Sequence, residues 1–238
     1  MTVHRLDETV STNIDARAGK PGDVYIAEFQ SAGRGRLDHV WHAAKGENLT
    51  FSAVLSTDGR DVSEVVTLPL VIGLAVARAV KSLAVVPQAE IAVKWPNDVL
   101  AGGRKLAGTL CERHGENIIA GIGLNVNQTS FPPEISVRAT SLALLAGRPL
   151  DREAVFTAVL EEIGTCHRRW SREGFAALHG ELSVYDALKG RKVSVFQTDS
   201  DTEPVTGICD GILVDGTLSV GGKAVYAGEA HVADVGCF

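Results

Sequence analysis

The chain has 238 residues, 45% of them hydrophobic and 22% charged, with a formal net charge of −6. These values suit a soluble protein of one large domain, or of one domain with a small appendage, and they exclude the overall basic field of a general nucleic-acid binder. The first residues, Met1-Thr2-Val3-His4-Arg5-Leu6-Asp7-Glu8, hold no apolar signal core, and no apolar run is read as approaching a membrane span, so a cytoplasmic location is expected.

Val10-Ser11-Thr12-Asn13 opens a short helical stretch that ends at Gly19-Lys20-Pro21-Gly22, with Ser11 or Thr12 as its cap. A strand follows at 24–29. Next comes the loop Gln30-Ser31-Ala32-Gly33-Arg34-Gly35-Arg36-Leu37-Asp38-His39-Val40-Trp41, and a second strand at 50–55. Residues 63–83 read as one helix, apolar enough to be buried on both faces, in which Pro69 is tolerable only within the first turn. A strand at 91–95 stops at Pro96, Val99-Leu100 resumes it, and Gly102-Gly103 turns a hairpin into a return strand at 105–112. Residues 117–127 form a further strand and 151–170 an amphipathic helix capped by Asp151. Beyond Leu188 short strands alternate with tight turns, as in a small β-barrel. The expected domains are therefore 1–187 and 188–238.

Three places carry chemistry. In the loop, Gly33 and Gly35 let backbone amides approach a ligand closely. Arg34 and Arg36 supply forked donors for carboxylate and phosphate oxygens, and Trp41 offers a flat face to a ring. The loop has neither the third glycine of a dinucleotide fingerprint nor the lysine of a P-loop, so a solvated basic turn is its competing reading, and Trp41 equally suits a core anchor. Lys94-Trp95-Pro96-Asn97-Asp98 places a carboxylate at a strand exit. There Asp98 orients an amine nucleophile, takes its proton or helps to hold a metal, unless Asn97 and Asp98 simply form a turn. Lys105, just after the hairpin, suits an acyl-phosphate oxygen in a dry site or, alternatively, solvent. Gly121 and Gly123 interrupt a strand, which signals a bulge or a close neighbour, and Asn125 offers an amide to phosphate or metal. His39 and His42 lack further ligands at zinc spacing. The four cysteines, Cys111, Cys166, Cys209 and Cys237, form no C-x-x-C pair and read as reduced structural thiols.

In combination and order, these blocks resemble the biotin protein ligases. The match runs through Ser11-Thr12-Asn13, Gln30 with Gly33-Arg34-Gly35-Arg36 and Trp41, Lys94 to Asp98, Lys105-Leu106-Ala107-Gly108, and Gly121 to Asn125. The resemblance implies an α/β (α+β) fold: a mixed sheet backed by helices, like class II synthetases, with a small C-terminal SH3-like barrel. It implies ATP-dependent, Mg²⁺-assisted conversion of biotin to biotinyl-5′-AMP, then transfer to a lysine of a biotin carboxyl carrier protein. By resemblance, Ser11, Thr12, Asn13 and Gln30 bind the biotin head group, and Gly121 and Gly123 line its strand. The backbone of Gly33 to Arg36, together with Lys105, holds its carboxylate. Arg34, Arg36, His39, Trp41, Asn97, Lys105 and Asn125 face the nucleotide. Arg36, Lys105 and Asp98 are the catalytic set, and Asp98 positions the incoming lysine. A homodimer is also implied.

The chain departs from the family pattern at Asp38-His39, where the family places glycine and arginine, and in the tail 228–234, which holds no arginine to meet the nucleotide. Ser11 lies too near the start for a preceding DNA-binding domain, so no nucleic-acid partner is expected. The rival readings are a lipoate ligase or octanoyltransferase of the same fold, and a biotin-binding regulator with impaired catalysis.

Overall fold

The computed structural model describes residues 1–37, 39–197 and 203–232. Asp38, Cys237 and residues 233–234, on which the sequence reading also touches, lie outside the described residues.

The larger layer is a seven-stranded mixed sheet. Its strands are β1 (Thr2–Thr9), β2 (Asp23–Gln30), β3 (Leu49–Ser56), β4 (Ile91–Lys94), β5 (Asp98–Ala101), β6 (Arg104–His114) and β7 (Asn117–Leu124), in the order β1-β2-β3-β7-β6-β5-β4. β1 and β2 run parallel, and the other described pairs are antiparallel. β1 is absent from the sequence reading. Its side chains show no buried face, so Thr2–Thr9 lacks the apolar alternation that marks a half-buried strand.

Seven α-helices and one short 3₁₀ helix (Ala16–Ala18) are described: α1 (Thr12–Asp15), α2 (Val62–Val65), α3 (Leu68–Ser82), α4 (Pro133–Ser136), α5 (Leu142–Ala146), α6 (Arg152–Glu173) and α7 (Ala176–Tyr185). The helix expected over 63–83 is thus two, broken at Val66 and Thr67. Pro69 lies in the first turn of α3, as its missing N–H requires. Thr67 Oγ1 donates to Glu64 O at 2.5 Å and accepts from Trp170 Nε1 at 3.1 Å. This contact locks the break against α6, whose Trp170 is fully buried. The stretch Val62–Ser82 does have the length and apolarity to cross a membrane, which corrects the sequence reading. The structure explains the composition otherwise: 67% of its window is buried inside the fold. Gly73 lets α3 lie close on the sheet, since a Cβ there would stand 3.3 Å from Val93 Cγ1.

The smaller layer, where the small barrel is expected, is a five-stranded antiparallel sheet. It comprises β8 (Lys192–Phe196), β9 (Val205–Ile212), β10 (Leu218–Val220), β11 (Lys223–Val225) and β12 (Glu229–Val232), in the order β11-β10-β9-β8-β12. It is fastened to the larger layer by polar contacts: Trp95 Nε1 donates to Gly216 O at 3.0 Å, Ile212 N donates to Asp186 Oδ2 at 3.1 Å, and His179 Nε2 meets Ile212 O at 2.6 Å.

Candidate active site

One cavity opens on the face of the large sheet, where α1, the loop after β2, the β4–β5 turn and β6–β7 converge. Its walls include Ser11, Thr12, Asn13, Gln30, Arg34, Gly35, Arg36, His39, Trp41, Asn97, Asp98, Lys105, Gly121 and Gly123, so the separated sequence blocks do meet. Gly33 and Asn125 are not on that wall.

At one end the groups are neutral and buried. Ser11 occupies the N-cap position of α1, but its side chain makes no capping bond, and it faces the cavity instead. Thr12 donates from its backbone N to Gln30 Oε1 at 2.7 Å, and its Oγ1 lies 3.0 Å from the same oxygen. Thr12 Oγ1 also lies 2.8 Å from Ser52 Oγ, which donates to Asn13 Oδ1 at 2.6 Å. Ser52 belongs to no motif and was missed by sequence reasoning; its position in a strand between apolar neighbours was the available signal. Gly121 is the strand residue that admits Asn13. A Cβ there would come within 3.0 Å of Asn13 Oδ1, closer than real Cβ atoms approach a neighbour.

The other end is cationic. Lys105 Nζ stands 2.7 Å from Asp98 Oδ1 and 6.0 Å from the ring centroid of Trp41. Arg36 donates from Nη1 to Gly228 O at 3.3 Å. Burial pushes the Arg36 guanidinium below its usual range, and the charges of Asp98 and Glu229 oppose that shift. Glu229, at the start of β12, lines the cavity, so the small sheet does reach the site, through a carboxylate rather than an arginine. Arg34 turns aside: its Nη2 donates to Glu112 Oε1 and Oε2 at 3.1 and 3.3 Å.

The glycine-arginine loop folds back on itself. Gly35 N donates to His39 O at 2.7 Å, His39 N to Arg36 O at 3.0 Å, and Trp41 N to Gly33 O at 3.0 Å. The approach at Gly33 is to the loop itself, because a Cβ there would lie 2.9 Å from Trp41 O. This doubling back lays Trp41 over Gly123, where an added Cβ would fall within 3.0 Å of the indole. The remaining void is about 100 Å³. Small-molecule sites usually exceed about 300 Å³, so the loop as it lies leaves less room than such a ligand takes.

Two expected contacts are built differently. Asn97 lines the cavity but directs its Nδ2 to Thr109 O at 2.8 Å, holding the β4–β5 turn. Asn125 is buried, and its Nδ2 donates to Thr140 O at 3.0 Å. Among the described residues no group of three His, Cys, Asp or Glu side chains is placed to hold a metal. The wall carboxylates Asp98 and Glu229 suit a Mg²⁺ ion that arrives on phosphates, since Mg²⁺ is commonly held by one or two carboxylates plus substrate oxygens.

A buried neutral end joined to a cationic end defines a site for a ligand with a polar head and an acidic tail, set on a mixed sheet. Residues 3–128 match the model of the Biotin/lipoate A/B protein ligase family, and the chain belongs to that family. It is 36% identical over 233 residues to a biotin–[acetyl-CoA-carboxylase] ligase of Mycobacterium tuberculosis, covering 94% of this chain and 86% of that protein. A protein of the same description from Paracoccus denitrificans is 30% identical over 240 residues, with 92% and 94% covered. Among solved structures, the biotin protein ligase of Aquifex aeolicus in complex with biotin and ATP superposes with a TM-score of 0.85 at 29% identity, covering 97% of each chain.

Proposed function

We propose that the chain is a biotin–[biotin carboxyl-carrier protein] ligase. In the first step a biotin carboxylate oxygen attacks the α-phosphorus of ATP, the bond to the β-phosphate oxygen breaks, and pyrophosphate leaves. In the second, the Nζ of a carrier lysine attacks the acyl carbon, an amide forms, and AMP leaves. The observation that carries this reading is the single cavity with two ends. Its neutral set, Ser11, Thr12, Asn13 and Gln30, suits a ring bearing both donors and acceptors, and its cations Lys105 and Arg36 suit a carboxylate meeting a phosphate.

Bringing two anions together requires fixed positive charge in a site of low dielectric. Arg36 and Lys105 supply it, while Asp98, now paired with Lys105, takes the proton of the incoming lysine. Mg²⁺, held through Asp98 or Glu229 and the phosphates, would neutralise charge on the triphosphate. Trp41 and His39 would face the nucleotide, and Arg34 would contribute through its backbone. A rearrangement would be needed before Asn97 or Asn125 met the nucleotide. The partner on this reading is the carrier domain of a biotin-dependent carboxylase. A cytoplasmic location, a division at 187/188, a homodimer and the lack of a nucleic-acid partner are proposed on composition and resemblance.

The test is to supply ATP, Mg²⁺ and either biotin or lipoate, and to follow pyrophosphate release and labelling of a carrier domain. Biotin-dependent release with labelling is expected. Preference for lipoate would overturn the reading, and release without labelling would assign the chain to a regulator with a defective second step.

A further inference from the structure

Glu112 belongs to none of the sequence motifs and does not line the cavity, yet it gathers donors from both ends of the site. Near the end of β6, it accepts from Asn13 Nδ2 at 2.6 Å and from Arg34 Nη2 at 3.1 and 3.3 Å, and Arg17 Nη2 stands 3.6 Å away. Its side chain is 27% exposed, so these contacts are only partly screened by water.

A carboxylate only accepts hydrogen bonds. Glu112 therefore fixes the Asn13 amide with Nδ2 toward itself and Oδ1 toward Ser52. Ser52 must then give its hydroxyl proton to Asn13 Oδ1, at 2.6 Å. Thr12 Oγ1, 2.8 Å from Ser52 Oγ and 3.0 Å from Gln30 Oε1, then has one proton to share between these two acceptors. Gln30 Oε1 keeps the Thr12 backbone N–H, at 2.7 Å. The orientation of the Asn13 amide, which Leu110 O also supports at 3.4 Å, and the direction of the Ser52 hydrogen bond thus follow chiefly from one acidic side chain. Gly121 makes the room for this arrangement, because Asn13 Oδ1 occupies the space that a Cβ would take. The same carboxylate holds Arg34, which belongs to the glycine-arginine loop.

We infer that Glu112 is a positioning residue that couples the head-group end of the site to the glycine-arginine loop, fixing the polarity of Asn13 while anchoring Arg34. This rests on the ligase reading above, and it adds a residue that touches neither substrate. A glutamine at 112 can donate as well as accept. It therefore permits the Asn13 amide to turn over, and it removes the charge that holds Arg34.

The experiment compares the full-length wild type with Glu112→Gln, Arg34→Gln and the double variant. Trypsin cleavage after Arg36, a site present in every variant, is timed with and without biotin, in the absence of ATP. Free biotinyl-adenylate is then measured with ATP and Mg²⁺ but no carrier. In wild type, biotin is expected to slow cleavage. In Glu112→Gln, that protection is expected to shrink about fivefold to tenfold, and free adenylate to rise by a similar factor, the scale of a charge-assisted contact. The double variant is expected to release no more adenylate than the worse single variant. Protection and release unchanged in Glu112→Gln, or effects of the two substitutions that simply add, would overturn the inference. A wild type that makes no pyrophosphate with biotin would instead overturn the ligase reading. Thermal unfolding separates the two roles, since loss of stability without a change in loop cleavage marks Glu112 as structural only and refutes the coupling.

Discussion

Lys105 and Asp98 hold each other at 2.7 Å above Gly108, where an added Cβ would lie 3.3 Å from Lys105 Cε and 3.5 Å from Asp98 Oδ1. On the proposed mechanism, the cation of the first step and the carboxylate of the second are therefore one pair. When a phosphate oxygen draws Lys105 away, Asp98 is freed to accept a proton. Lys105→Ala is expected to cut adenylate formation by about 10²- to 10³-fold, as for loss of a fixed charge at a reacting centre. Biotin affinity should fall far less than adenylate formation does. Pyrophosphate release and equilibrium biotin binding, measured on the same preparation, check this, and equal losses in both would contradict the assignment.

The two glycines of β7 should separate the two substrates. Gly121→Ala forces Asn13 to move and is expected to raise the KM for biotin, whereas Gly123→Ala forces Trp41 to move and is expected to raise the KM for ATP. Overpacking of this kind typically costs about 1–3 kcal/mol, or roughly 5- to 150-fold in affinity. Steady-state kinetics with each substrate varied in turn would show the split. A rise in the same KM for both variants would refute it.

Arg36→Gly removes the donor to Gly228 O and so releases the loop from the small sheet. The expected outcome is leakage of activated biotin, read as biotinylation of lysines on a bystander protein. Absence of stray labelling would show that the loop does not retain the intermediate.

Burial pushes the thiols of Cys166 and Cys209 up to about 11 from an ordinary value of 9.0. Both should resist alkylation at about pH 8 in the folded protein and react on unfolding, since the thiolate is the nucleophile. The folded values lie above the unfolded ones. Their contribution to stability is therefore complete below pH 9 and is lost as pH rises toward 11. A denaturation series between those limits should show the midpoint falling with pH.

Asp151 Oδ1 accepts from Glu153 N at 2.9 Å and Ala154 N at 3.3 Å, capping α6 away from the cavity. Asp151→Ala is expected to cost about 1 kcal/mol of stability with both KM values unchanged. Chemical denaturation and kinetics on the same variant would check both halves.

What could be read from the sequence depended on how locally each feature is encoded. The Gly102-Gly103 turn, Pro69 in a first turn and the Asp151 cap are each specified by a few neighbouring residues, and all three stand where expected. β1 escaped notice because an edge strand with no buried face carries no alternation. The site blocks were legible as short motifs, and the fold brings most of them to one cavity. Glu112 and Ser52 were not, because their importance comes from partners 39 to 99 residues away, a relation that no local pattern records. Asn125 shows the converse. An amide beside two glycines looks like a ligand contact, yet here it satisfies the buried carbonyl of Thr140.

The contact between Arg36 and Gly228 spans 192 positions of the chain. During synthesis, residues up to 128, which form the neutral pocket and carry Lys105 and Asp98, emerge well before β12. On the proposed mechanism, the residues that would activate biotin thus precede in the chain the segment that ties down the loop over them. On the same mechanism, retention of the intermediate by the loop therefore depends on a contact supplied by a segment far downstream of the residues that form the pocket.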